Sequence, residues 1–190
     1  LMERGISLER AISFVQSEKK NLSLESIHLD NAYGRILAKS LESKVDDPRF
    51  HNSAMDGWAV REEDCLENKK NILKIVGVSE AGSNKNFQIG AKEACKIMTG
   101  APIPDGADAI VMVEKTSVDG DVVTIEAQVE PGNHIRPAGD DVKEGDLVFP
   151  AGTRLSAGHL GVLCSLGFQK IDTFPRLRVG VISTGDELVD

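Results

Sequence analysis

Between Asp46 and Asp146 the chain is interrupted again and again by glycine, proline, asparagine and aspartate. These residues set turns and stop helices, so the apolar stretches between them stay short. Five such stretches, at 72–78, 95–98, 109–113, 122–125 and 147–149, read as strands. Asp119-Gly120 is a hairpin signal between two of them. This punctuation predicts a β-rich module over residues 46–146.

The flanks read differently. Residues 7–19 form an expected helix. Ser7 is a good N-cap, Glu9 suits the first turn, and Leu8, Ala11, Ile12 and Val15 make one apolar face. Lys19 and Lys20 suit its C-terminal end. Residues 24–45 are mixed, with extended character at Ile27 and Leu29, a break at Tyr33-Gly34 and a candidate strand over 36–45. A second helix is expected at 157–166, capped by Ser156, with Leu160, Leu163 and Cys164 on one face and Gly167 as the stop. A strand follows at 170–174. The run 179–182 is apolar throughout, as in a buried parallel strand, and leads into Ser183-Thr184-Gly185-Asp186-Glu187. The expected class is α+β. Its parts are an N-terminal helix (1–23), a linker or dimerisation domain (24–45 with 147–177), the β-rich module, and the start of an α/β domain (178–190).

Charge and cysteines exclude several function classes. The formal net charge is −8, which disfavours binding to nucleic acid. An anionic small substrate would need local Lys, Arg, backbone N–H groups or a metal to hold it. The three cysteines, Cys65, Cys95 and Cys164, are far apart, so a disulfide framework or zinc ribbon is not expected, and each reads as a small buried residue. No apolar run approaches the roughly 20 residues of a spanning helix. The N-terminus lacks a signal-peptide layout and does not open on methionine, so the chain reads as trimmed or engineered there, cytoplasmic, and not membrane-bound. No phosphate-loop, dinucleotide-fold or hydrolase-elbow motif occurs, and the four histidines show no metal-ligand spacing.

Four segments are dense in polar and turn-forming residues. In 52–60 (NSAMDGWAV), Asp56 is a metal ligand, a holder of a substrate amine, or a turn residue bonded to its own backbone. In 98–108, two prolines and two glycines shape a rigid loop. Thr99 and Gly100 there offer donors to an oxyanion, or the loop is only a stiff connector. In 136–141, Asp140 and Asp141 suit Mg²⁺ and Arg136 suits an anion, or the segment is a charged surface turn. In 183–187, Asp186 and Glu187 suit a metal near a helix start, or the residues simply cap one. Taken one at a time, these segments name no reaction.

Together, in this order and spacing, they resemble the MoeA-type molybdopterin molybdenumtransferases, the family that includes the gephyrin E domain. The matching stretches are 34–38 (GRILA), 52–60 (NSAMDGWAV), 97–108 (IMTGAPIPDGAD), 139–145 (GDDVKEG) and 181–188 (VISTGDEL). The resemblance implies transfer of molybdenum from molybdate into adenylylated molybdopterin, with release of AMP and with Mg²⁺ assisting. It implies catalytic roles for Asp56, Thr99, Asp141 and Glu187, with Asp141 and Glu187 organising metal or phosphate. Ser53, Met55, Gly100, Arg136, Ser183, Thr184, Gly185 and Asp186 would bind substrate. It also implies a homodimer whose sites draw on both subunits, a molybdopterin adenylyltransferase as functional partner, and the N-terminal helix packed on the α/β domain. A chain of this length would then hold half of each site and be inactive alone. Four departures stand out: Trp58 for the usual Tyr, His51 for a common Asp, Asp140 for a common Glu, and Pro137-Ala138 where basic residues are frequent. Two other readings compete: a non-catalytic dimerisation or scaffold module, and a divalent-metal phosphate-ester hydrolase that would release AMP without molybdate.

Overall fold

The computed structural model describes residues 5–17, 23–67, 69–83, 85–181 and 183. Its elements are α1 (Leu8–Ser17), β1 (Glu25–His28), β2 (Leu41–Glu42), β3 (Asn52–Ser53), β4 (Gly57–Val60), β5 (Asn71–Ser79), β6 (Glu93–Ile97), β7 (Ala109–Met112), β8 (Thr116–Asp119), β9 (Val122–Ile125), β10 (Ile135–Arg136), β11 (Leu147–Phe149), α2 (Ala157–Ser165) and β12 (Lys170–Thr173). Three short 3-10 turns lie between them. The chain divides into two compact units, one of Leu1–Leu41 with Phe149–Asp190 and one of Glu42–Val148.

The second unit is built on a six-stranded mixed sheet in the order β7-β4-β6-β5-β9-β8. β4 is one of its inner strands. Its sequence, Gly-Trp-Ala-Val, has no polar face, and all four residues are buried. Alternate side chains serve opposite faces of the sheet. Trp58 and Val60 join Leu73, Val111, Val123 and Ile125 in one core cluster, while Ala59 joins Cys95, Ile97, Ala101 and Ile110 in the other. The Trp58 indole N–H finds a partner in the Thr116 hydroxyl at 3.2 Å. β8 and β9 meet at a two-residue turn where Gly120 takes φ +58°, the left-handed conformation that glycine adopts without steric cost.

β5 and β6 run parallel, which periodicity alone does not reveal. A parallel pair needs a crossover of about a dozen residues, and the 80–92 segment supplies it. A bulge lies between Ile75 and Gly77, and the Phe87 ring of the crossover packs onto the Cα of Gly77.

In the first unit β1 pairs antiparallel with β12. α2 starts on a capping box. The Ser156 side chain accepts the His159 N–H, and the His159 ring accepts the Ser156 N–H at 3.0 Å. Gly167, at φ +80°, follows its end.

Several expectations need correction. The 36–45 stretch is not one strand. Ile36 bridges Arg154, Leu37 bridges Thr173, and only Leu41–Glu42 is a ladder strand, so the segment changes partner every few residues. Cys164 is exposed, because the buried stripe of α2 runs through Leu163 to Leu166 and bypasses it; Cys65 and Cys95 are buried as expected. Val179 and Val181 are exposed and carry no strand pairing. An apolar run becomes a strand only beside hydrogen-bonding neighbours, and none of the described residues provides them there. α1 begins where expected, with the Arg10 N–H bonded to the Ser7 hydroxyl at 3.3 Å. Its apolar face is uncovered among the described residues, with Leu8 and Val15 more than two-thirds exposed. Lys19 and Lys20 lie outside the described residues. No helix among the described residues is long and apolar enough to cross a membrane.

Candidate functional site

The second unit gathers three of the four polar segments around β3. β3 pairs antiparallel with β10, placing Asn52 opposite Arg136 and Ser53 opposite Ile135. On its other side Ser53 exchanges backbone bonds with the proline-rich loop. Its N–H goes to the Ala101 carbonyl at 3.0 Å, and its carbonyl accepts the Gly100 N–H at 2.8 Å. The short, buried Ser53 then folds back: its hydroxyl donates to the Met55 carbonyl at 2.6 Å, turning the chain toward β4. Gly57 opens β4 and must be glycine, since a Cβ there would sit 2.0 Å from the Val111 carbonyl oxygen.

This turn delivers Asp56 to Thr99. One Asp56 carboxylate oxygen accepts both the Thr99 backbone N–H and the Thr99 hydroxyl, each at 2.7 Å. The two residues are 43 positions apart, so Asp56 does not make a local turn bond to its own backbone. The Thr99 N–H, and then its hydroxyl, hold the Asp56 carboxyl below the usual carboxylate range. An anion held this way is a poor base at neutral pH. It suits a positioned ligand for a cation or for a substrate N–H edge.

The same geometry revises the expected task of the 98–108 loop. Both Thr99 donors are committed to Asp56 and the Gly100 N–H to Ser53, so in this arrangement neither donates to an oxyanion. Gly100, at φ +80°, is needed for the turn itself.

The third segment is held by the chain just before β3. Asp47 exchanges backbone bonds with Val142 and accepts the Asp141 N–H, while the Pro48 carbonyl accepts the Gly139 N–H. Arg136 donates to Asp141 at 2.8 Å and lies 3.5 Å from Asp140. The carboxylates push the guanidinium to even more basic behaviour, led by the hydrogen bond it donates to Asp141. Arg136 and the two acids are thus partners of one another, which neither the metal nor the anion reading anticipated. Among the described residues no three His, Cys, Asp or Glu side chains gather as a metal cage. Mg²⁺ needs only one or two protein carboxylates beside water and phosphate oxygens, so Asp140 and Asp141 could supply part of such a shell and not a whole one.

Of the fourth segment, Ser183 is exposed, and Thr184, Gly185, Asp186 and Glu187 lie outside the described residues. Sequence reading missed two features. His51 bonds the 136–141 turn, with its Nδ1 accepting the Ala138 N–H at 3.1 Å. A groove of about 460 Å³, lined by Phe50, His51, Pro102, Ile103, Pro104 and Ile135 among others, runs beside the proline-rich loop. The sequence signals for them were the His51 departure from the family pattern and the prolines of the 98–108 loop.

Comparison with known proteins adds a lineage. Residues 6–167 match the family model described as the MoeA N-terminal region, domain I and II. The chain is 41% identical over 167 residues to a molybdopterin molybdenumtransferase of Haemophilus influenzae, covering 87% of this chain and 41% of that one. With a molybdopterin molybdenumtransferase of Staphylococcus epidermidis the identity is 35% over 189 residues, covering 97% and 45%. Crystal structures of a molybdopterin biosynthesis MoeA protein from Pyrococcus horikoshii superpose with TM-scores of 0.79 and 0.77 at 32% and 30% identity. The first of them covers 89% of this chain and 44% of that one. The chain therefore spans less than half the length of these relatives.

Proposed function

We propose a function from one premise: the chain belongs to the MoeA family, whose N-terminal region it carries over residues 6–167. The function is molybdenum cofactor biosynthesis, by transfer of molybdenum from molybdate into adenylylated molybdopterin with release of AMP. This chain supplies part of the residues for that reaction. The observation that carries the reading is the double hydrogen bond from Thr99 to Asp56, which ties two polar segments into one rigid corner.

The roles follow from charge. Molybdate is a dianion and Asp56 is an anion, so Asp56 does not hold molybdate directly. It fits the N–H edge of a pterin ring, with Ser53, Met55, Thr99 and Gly100 shaping the corner. Arg136 is the local cation. Its pairs with Asp140 and Asp141 are exposed, and solvent-screened ion pairs are weak, so an incoming phosphate competes with them. Asp141 and Glu187 would each organise Mg²⁺ or substrate phosphate, and the metal would neutralise charge on the departing AMP. Ser183, Thr184, Gly185 and Asp186 would bind phosphate oxygens. In this reading 46–146 is the substrate-facing β module, 24–45 with 147–177 a linker and dimerisation domain, and 178–190 the opening of a pterin-binding domain. The protein works in the cytoplasm as a homodimer and receives its substrate from a molybdopterin adenylyltransferase.

The test is AMP release from adenylylated molybdopterin, with and without molybdate, for this chain and for the full reading frame. Molybdate-dependent release from the full frame, and none from the 190-residue chain, is the expected result. Release without molybdate would favour a hydrolase, and no release from either would favour a scaffold.

A further inference from the structure

We propose that His51 is a positioning residue, holding the 136–141 turn through an unprotonated Nδ1. Its catalytic consequence rests on the transferase reading above; its structural part does not. The His51 Nδ1 accepts the Ala138 backbone N–H at 3.1 Å. A ring nitrogen accepts only when it carries no proton, so the contact selects the neutral imidazole with its hydrogen on Nε2.

The bond holds a specific place in the turn. Pro137 has no N–H to satisfy. The Gly139, Asp140 and Asp141 N–H groups go to the carbonyls of Pro48, Pro137 and Asp47. Ala138 is therefore the one residue of 137–141 whose backbone donor is met by a side chain. It lies between Arg136 and the two acids that Arg136 bonds. His51 is itself well anchored. Its carbonyl accepts the Ile103 N–H at 3.2 Å, and Asn52, the next residue, pairs with Arg136 across β3 and β10. One residue thus touches the proline-rich loop through its backbone carbonyl, leads into β3, and holds the 136–141 turn through its ring.

A second proton on the imidazole would set a donor against the Ala138 donor and break this contact. The charged groups on the surrounding elements are Asp105 across the groove, Arg136 and His134 at β10, Asp140 and Asp141 in the turn, and Asp47 and Arg49 on the segment of His51 itself. The arrangement of Arg136 and Asp141, and with it anion handling, is expected to follow the protonation state of this one ring.

The test has two arms. In the first, ¹⁵N NMR of this chain follows the His51 ring nitrogens and the Ala138 amide from pH 8 to pH 5. The Ala138 shift should move in step with the ring. His51→Asn, whose Oδ1 accepts without titrating, should remove that pH dependence and keep the amide protected. His51→Ala should speed Ala138 exchange about tenfold. An Ala138 amide indifferent to the ring, or to His51→Ala, overturns the proposal; should the alanine variant not fold, the asparagine comparison decides alone. In the second arm, molybdate-dependent AMP release is measured for the full reading frame. The wild type should lose activity relative to His51→Asn as the pH is lowered, and a constant ratio overturns the catalytic part. Absence of AMP release from every variant would count against the transferase reading, and the NMR arm would still decide the role of His51.

Discussion

The corner made by Asp56 and Thr99 tests the site at single-residue scale. Two donors from one residue stabilise the ionised carboxyl, and only one of them is a side chain. Thr99→Val removes the hydroxyl and keeps the N–H. The Asp56 titration midpoint, read from its carboxyl ¹³C shift, should therefore rise but stay below the ordinary range, because the backbone donor is the larger cause. An unchanged midpoint would show that the hydroxyl bond does not form in solution. The sign of the pH effect follows. A folded value below the unfolded one, which is about 3.9 for aspartate, adds stability above the unfolded value and loses it as pH falls through the folded one. At neutral pH Asp56 is thus fully charged. This partnership was not legible in the sequence, since nothing local links residues 43 apart. The Arg136 pairing was half legible: Asp140 and Asp141 lie close enough in sequence to meet it, but the metal and anion readings kept the charges apart.

At the scale of elements, the sheet turns on how closely β4 and β7 approach. Gly57→Ala would place a methyl 2.0 Å from a backbone oxygen, whereas Gly77→Ala would place one 2.3 Å from the Phe87 ring. A ring at the end of a side chain swings aside; the β7 backbone, hydrogen-bonded to β4, does not. Urea unfolding should show Gly57→Ala losing about 3 kcal/mol or more and Gly77→Ala about 1 kcal/mol, in line with the cost of overpacking. The reverse order would mean that β4 and β7 are not held at this spacing. In the β-rich module β3, β4, β8 and β10 were not read as strands from the sequence, whereas β5, β6, β7 and β9 were readable because turn residues bound them on both sides. The 36–45 stretch was not, because its apolar residues serve three partners in turn. Nor was the parallel pairing of β5 with β6, since a strand's pattern records burial and not direction.

For the whole molecule, the thiols report folding. Burial and the nearby Asp64 charge push the Cys65 thiol up to about 11, and burial raises Cys95 as well. Cys164 is exposed. At pH 8 the native chain should offer one fast-reacting thiol to a disulfide reagent, mapped to Cys164, and three after denaturation. Labelling of Cys65 as fast as Cys164 would place it outside the core. Sequence alone determined the turn-punctuated β-rich character, the caps of α1 and α2, the Gly120 hairpin and the resemblance to the MoeA type. Each of these depends on backbone preferences or motifs carried by neighbouring residues. Tertiary structure decided which donors meet which acceptors: Thr99 with Asp56, Ala138 with His51, Arg136 with Asp140 and Asp141. It also decided that Leu8, Val15 and Val179 stay exposed despite their apolar patterns. The physical reason is the same in both cases. Hydrogen bonds and burial are properties of pairs of surfaces, and the chain's local pattern specifies only one member of each pair.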